Sequence, residues 1–156
     1  MAYQKLQASR LLAVVQSDTI NVPDVSHRTA QGSATATTAD KLVDSGALFS
    51  ANGLVKVNDI VYNTTDSTVA RVTAIDSDTT LSLSANIMAN TEAYKIYRDE
   101  NNGCVLYVGG LGDVNVITAG GDDVTLKAVP AGSFIPVQVL RVKDTLTTAT
   151  DIVAMW

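Results

Sequence analysis

The residues able to do chemistry are few and far apart in this chain. His27 is the only histidine and Cys104 the only cysteine among 156 residues. A histidine acting as acid, base or metal ligand needs partners fixed on rigid elements. His27 opens the stretch HRTAQGSATATTAD (27–40), which is small and polar and offers none, so it reads as an exposed linker histidine. One histidine and one cysteine assemble neither a Ser/His/Asp nor a Cys/His set. A lone cysteine likewise excludes an intrachain disulfide and a thiolate metal cluster. Flanked by Gly103 and Val105 at the head of an apolar run, Cys104 reads as a small buried hydrophobe.

Oxygen ligands occur as Asp76-Ser77-Asp78 and Asp122-Asp123. Neither has the glycine and distal glutamate of a calcium loop. Both read first as hairpin turns, where aspartate bonds its own backbone and tolerates left-handed φ. Gly109-Gly110-Leu111-Gly112 has the composition of a phosphate cradle, but such loops lead into a helix whose amides face the phosphate. Here Asp113-Val114-Asn115-Val116 follows and alternates as a strand. Tyr62, Tyr94, Tyr97 and Tyr107 lie near strand ends and read as one aromatic cluster, either a sugar-stacking face or inter-domain packing. An aromatic content of only 5% weighs against the sugar-binding alternative. No residue is assigned a catalytic, cofactor or metal role, and the chain reads as non-enzymatic.

The elements that must hold these residues are strands. From Gly103 to Trp156 short apolar segments alternate with Gly, Pro and Asp, with no helical spacing. Val114 and Val116, then Val124, Leu126 and Ala128, predict a hairpin joined across Gly120-Gly121, with positive φ at both glycines. Pro130-Ala131-Gly132 predicts a turn. The run 134–142 is apolar on both faces and predicts a strand buried between two layers. DIVAMW closes the block as a further strand. Together these predict a C-terminal β-sandwich block over 101–156.

Ahead of it, residues 9–15 read as a strand despite helix formers at Leu6, Ala8 and Leu11-Leu12-Ala13, with residues 1–8 as an arm. Residues 19–23 (TINVP) read as a second strand stopped by Pro23. The polar stretch to Asp40 is a flexible linker or an arm docked on a neighbouring subunit. Residues 1–40 are thus expected to supply strands and an extended arm that pack with the C-terminal block. Residues 41–100 read as an inserted SH3-like β-barrel module, with strands at 57–63, 68–76, 80–84 and 93–97 and a turn at Asn52-Gly53. The expected fold is all-β: a jelly-roll-like C-terminal sandwich completed by N-terminal strands, with the small barrel between them.

Hydrophobic residues make up 46% of the chain and charged residues only 17%, below the roughly 25% of ordinary soluble domains. A surface rich in Thr, Ser, Ala and Gly suits packing against copies or partners, and equally a β-domain with a Thr-rich exposed face. The net charge of −5 and the lack of a basic run argue against nucleic-acid binding. No apolar run reaches the ~20 residues of a membrane helix, and no signal peptide is read at the N-terminus.

The segments GDVNVITAGGDDVTL (112–126), VPAGSFIPVQVLRV (129–142) and TTATDIVAMW (147–156) resemble the C-terminal block of bacteriophage and gene-transfer-agent virion proteins, including head spike base proteins. The middle segments KLVDSGALF (41–49), VNDIVYNTTD (57–66) and VTAIDSDTTLSLSANIM (72–88) resemble, less specifically, β-modules inserted in phage structural proteins. These motifs are architectural. The resemblance implies a structural protein on the surface of a virion, made in the host cytoplasm. It would decorate and stabilise a phage capsid as a cement or vertex spike-base protein, with a tail, neck or baseplate component as the alternative and a carbohydrate-binding module further behind. The implied partners are the major capsid protein, further copies of the chain (a trimer first, then a pentamer) and a spike or fibre protein. No cofactor, nucleic acid or membrane is implied.

Overall fold

The computed structural model describes residues 8–156, so the arm read over 1–8 lies outside the described residues except for Ala8. The protein is all-β, as expected from the alternating patterns, with two six-stranded antiparallel sheets. The chain divides into two compact units, Met1–Val25 with Asn101–Trp156, and Ser26–Glu100.

The first unit holds β1 (Leu11–Ala13), β8 (Cys104–Val108), β9 (Gly112–Thr118), β10 (Asp123–Val129), β11 (Ser133–Val142) and β12 (Ile152–Met155), in the order β1-β12-β8-β11-β9-β10. The long strand β11 organises it. Its first half pairs with β8, Ser133 opposite Val108, and its second half with β9, Val142 opposite Val116. Register breaks on both sides of Val139 separate the halves; such irregularities bend a strand and let one sheet fold over into a sandwich. Leu106, Val108, Val114, Val116, Val139 and Ala154 fill the space enclosed.

Several local expectations need correcting. The hairpin β9–β10 forms, but its loop spans 119–122, and of the two glycines only Gly121 takes positive φ (91°). The bonds Gly121 N–H to Thr118 O (2.9 Å) and Thr118 N–H to Asp122 O (3.0 Å) set the loop. Val124 is exposed and Ala128 sits at φ 48°, next to a register break after Leu126, so β10 does not alternate as one face. Residues 19–23 form no strand. Ile20 and Val22 are buried, and Val22 N–H bonds Leu140 O (2.8 Å), but no ladder follows. Run 134–142 is a strand buried on one face only: Ile135, Val139 and Val142 are inside, while Phe134 and Val137 are exposed.

The second unit holds β2 (Arg28–Ser33), β3 (Lys41–Val43), β4 (Ile60–Asn63), β5 (Thr68–Ile75), β6 (Thr80–Leu83) and β7 (Ala93–Tyr97), in the order β2-β7-β4-β5-β6-β3. The segment read as linker or arm is therefore structural. β2 pairs along β7, Gln31 opposite Lys95 and Ser33 opposite Ala93. Beyond β2, Ala34 is buried, Thr35 N–H bonds Val43 O (2.8 Å), and Ala36 bridges Val43 on the far edge strand. The sheet thus curls until its two edges touch. Small side chains suit that close approach, which is why the stretch looks featureless in sequence. Leu42, Val61, Ala70, Val72, Leu81 and Ile96 form this unit's own core.

Candidate functional site

Each residue singled out for chemistry is engaged locally. His27 ends a single 3-10 turn (Val25–His27), and its ring faces Glu100 at 3.5 Å. Its carbonyl accepts Arg98 N–H (3.0 Å), which fixes the entry into β2. The two turn aspartates point to different tasks. Asp76 takes the Lys41 ammonium (2.7 Å) and the Ser82 hydroxyl (2.8 Å), and these bonds, the lysine's first, hold its carboxyl below the usual range. Asp78 accepts the Ala51 amide (2.8 Å) and so ties the 50–53 turn to the β5–β6 hairpin. Asp122 bonds Thr118 within the hairpin loop, and Asp123 pairs with Lys143 (2.8 Å). Among the described residues no group of three metal-ligating His, Cys, Asp or Glu side chains is present.

The glycine corner has a steric explanation. The segment 148–151 runs directly over Gly109, Gly110 and Gly112. Gly109 N–H bonds Asp151 O (3.0 Å) and Gly110 N–H bonds Thr150 O (2.9 Å). A Cβ at Gly112 would stand 2.6 Å from Ala149 Cα and Thr148 C. The Gly109 and Gly110 amides are already donated to this segment, and no helix follows. Asp113 then locks the overlying segment in place. Its carbonyl accepts the Thr148 and Ala149 amides (2.9 and 3.1 Å), and its carboxylate takes Lys127 (2.8 Å) and Ala128 N–H (2.8 Å). The Lys127 hydrogen bond, then that from Ala128, lowers the Asp113 pKa.

The four tyrosines do not form one cluster. Tyr62 and Tyr97 meet edge to face, 6.4 Å between centroids, and both are buried. Tyr94 packs against Phe49 and donates its hydroxyl to Asp44 (2.7 Å); burial, then that bond, pushes its pKa up. Tyr107, in the other unit, packs on Phe134 at 5.3 Å. Cys104 is buried, its thiol donates to Val139 O (3.2 Å), and burial raises its pKa to about 12.

Two arrangements escaped the sequence reading. Beside Tyr94 lies a groove of about 270 Å³ whose walls include Ala30, Asp44, Leu48, Phe49 and Leu54. Elsewhere in the second unit Asp66 hydrogen-bonds Glu92, which raises the Asp66 pKa. Paired carboxylates can serve acid–base chemistry, but Glu92 also accepts from Asn63 (2.9 Å) and the Ala89 amide (2.6 Å), fixing the 87–92 turn. Both arrangements join residues distant in sequence, so no local spacing announces them.

What the structure leaves open to a partner is apolar surface. In the first unit Leu11, Leu111, Val124, Phe134, Val137 and Leu146 are exposed, Leu111 by 68% and Leu146 by 58%. Leu146 holds φ 69°, a conformation that costs a branched residue energy and presents its side chain on a fixed loop. No family model, curated protein or solved structure matches this chain.

Proposed function

We propose that this protein is a structural component of a phage particle that decorates and stabilises the head, as a cement or a vertex spike base. The observation that carries the reading is the use made of the segments 112–126, 129–142 and 147–156, those with the virion-protein resemblance. Their distinctive residues build a frame: a glycine, Gly112, that admits the TTATD segment, an aspartate that locks it, and a bent central strand. On this reading the chain acts by contact and catalyses nothing. Its partners are the major capsid protein, other copies of itself and a spike or fibre protein.

The mechanism is mechanical. Each copy covers apolar surface on a closed shell, so rupture must break additional contacts. Interfaces of permanent assemblies commonly exceed about 2,000 Å², and many copies act on one shell. With residues 28–36 committed to the second unit's sheet, capsid contact falls to the exposed loops carrying Leu111 and Leu146. Imaging particles with and without the protein, together with the temperature at which packaged DNA escapes, tests this. Density on the head with release at a lower temperature in its absence is expected. Density on the tail, with equal release temperatures, would replace this reading with a tail, neck or baseplate role.

A further inference from the structure

Three stretches distant in the chain, 29–31, 44–49 and 52–55, meet Tyr94 of β7 around the groove of about 270 Å³ in the second unit. Phe49, Val55 and Tyr94 are buried and form its base, while Leu48 and Leu54, 51% and 54% exposed, stand at its rim. Asp44 is the only charged residue that lines it. Its carboxylate accepts the Tyr94 hydroxyl (2.7 Å) and the Gly46 amide (2.9 Å), both neutral donors. It joins none of the ion pairs among the described residues. A carboxylate accepts up to about four hydrogen bonds, so capacity for a further donor remains. The fold makes room for this carboxylate: a Cβ on Gly32 of β2 would stand 2.5 Å from Asp44 Oδ2 and 2.7 Å from Tyr94 Oη.

Charge and shape together select the occupant. Neutral donors hold a carboxylate without cancelling its charge, so a cation that also donates makes the stronger bond here. The volume lies below the roughly 300–1,000 Å³ of small-molecule and cofactor pockets and suits one long side chain. A free cation would leave Leu48 and Leu54 in water. An arginine within a peptide covers them with its methylene stem and the backbone beside it. Its planar fork matches a carboxylate, and Phe49 and Tyr94 supply aromatic rings at the base. Thr29, Gln31 and Asn52 line the groove with neutral oxygens for the remaining N–H groups. The chain's net −5 steers a basic partner inward. We propose that this groove docks an arginine side chain carried by a partner protein, with Asp44 as counter-ion and Leu48 and Leu54 as the apolar rim. The site is independent of the head or tail reading above.

The test is an NMR titration of the isotope-labelled full chain with a capped tripeptide that has arginine between two alanines. Two further probes are the same peptide with citrulline, the neutral isostere, and ethylguanidinium, which has the head group without a backbone. The arginine peptide should move the amide signals of 46–55 and Tyr94 and saturate on the order of millimolar. Citrulline should bind at least about 10-fold more weakly, because charge-assisted bonds are lost, and ethylguanidinium about 3-fold more weakly, because the rim stays wet. Asp44→Asn, whose amide can still accept from Gly46 and donate to the Tyr94 oxygen, should weaken the arginine peptide at least about 10-fold. Leu54→Ser should weaken it about 3-fold. Asp122→Asn, which removes the same charge from the hairpin of the other unit, should leave it unchanged. Circular dichroism and the urea midpoint check each fold; if Asp44→Asn does not fold, Leu54→Ser and the citrulline comparison decide. Signals in the groove that do not move, or citrulline binding as tightly as arginine, overturn the proposal. Equal losses in Asp44→Asn and Asp122→Asn also overturn it, by reducing the effect to net charge. Ethylguanidinium binding as tightly as the peptide overturns it too, by reassigning the groove to a free cation.

Discussion

Gly112→Ala should destabilise the first unit severely, whereas the same change at the hairpin glycines Gly120 and Gly121 should cost less. The new Cβ would lie 2.6 Å from Ala149 Cα and Thr148 C, against 3.4–4 Å for ordinary contact. Both obstacles are backbone, so no rotamer change relieves the clash, and segment 148–151 must retreat by roughly 1 Å. Overpacking of this kind costs about 1–3 kcal/mol. The retreat also strains the bonds from Thr148 and Ala149 to Asp113 O, each with a net worth of about 1 kcal/mol. A total of about 2–5 kcal/mol lowers the melting temperature of a chain this long by roughly 5–20 °C. Gly121→Ala meets nothing within 4 Å but must hold φ 91°, at a cost of about 1–2 kcal/mol. Gly120→Ala meets nothing closer than 3.4 Å at an unstrained φ and should stay within about 0.5 kcal/mol of wild type. Urea and thermal unfolding followed by circular dichroism measure the series. A Gly112→Ala protein as stable as Gly120→Ala would refute the steric account and reopen the glycine corner as a ligand cradle.

Other outcomes follow from the same structure. Removing 28–33 takes β2 from the edge of β7, so hydrogen exchange of the β7 amides should accelerate throughout the strand; unchanged protection would mean that the segment is dispensable. Cys104, buried with its pKa raised to about 12, should resist a thiol reagent at pH 8 in the native protein and react once urea unfolds it. Asp113 titrates in the folded protein below its ordinary value of 3.8, so its ionised form favours folding. That contribution is present above the unfolded value and lost as pH falls through the folded one. Asp113→Asn should therefore flatten part of the decline in stability below about pH 4, and an acid limb identical to wild type would remove Asp113 from the account.

Strand positions were legible wherever one face meets a core and the other meets solvent or a second row. β5, β6 and β7 fall within a residue of 68–76, 80–84 and 93–97, because Leu81 and Leu83, or Tyr94 and Ile96, mark the inward side unambiguously. β2 was illegible for the opposite reason. It makes its contacts with backbone groups and with Ala and Gly, so it carries no apolar period to read. Asn115 shows a third case: Lys143 and Thr147 satisfy its backbone from a segment about 30 residues away, but its side-chain Oδ1 is buried without a hydrogen-bond partner, so nothing in the sequence or the structure accounts for a polar side chain there. Among the candidate sites, the turn aspartates were readable as turn residues, but their partners Lys41, Ala51 and Lys143 are set by topology and leave no trace in local spacing.

The most informative departure is in β11. Its apolar residues on both sides predicted a strand between two layers, yet only Ile135, Val139 and Val142 are covered, while Val137 is exposed and Phe134 stands exposed against Tyr107. Local apolarity reports that a side chain is suited to leave water; it does not report which chain supplies the cover. Within one folded chain the two statements usually coincide, since the hydrophobic term acts on whatever surface is nearest. They separate where the second layer is not part of the same unit. Read this way, the surplus apolar face of β11, β8 and β12 is encoded as firmly as the core, with the pairs Phe134–Tyr107 and Tyr107–Val153 holding it in register. A sequence that expects a layer its own fold does not provide is the physical reason to look for that layer in a partner.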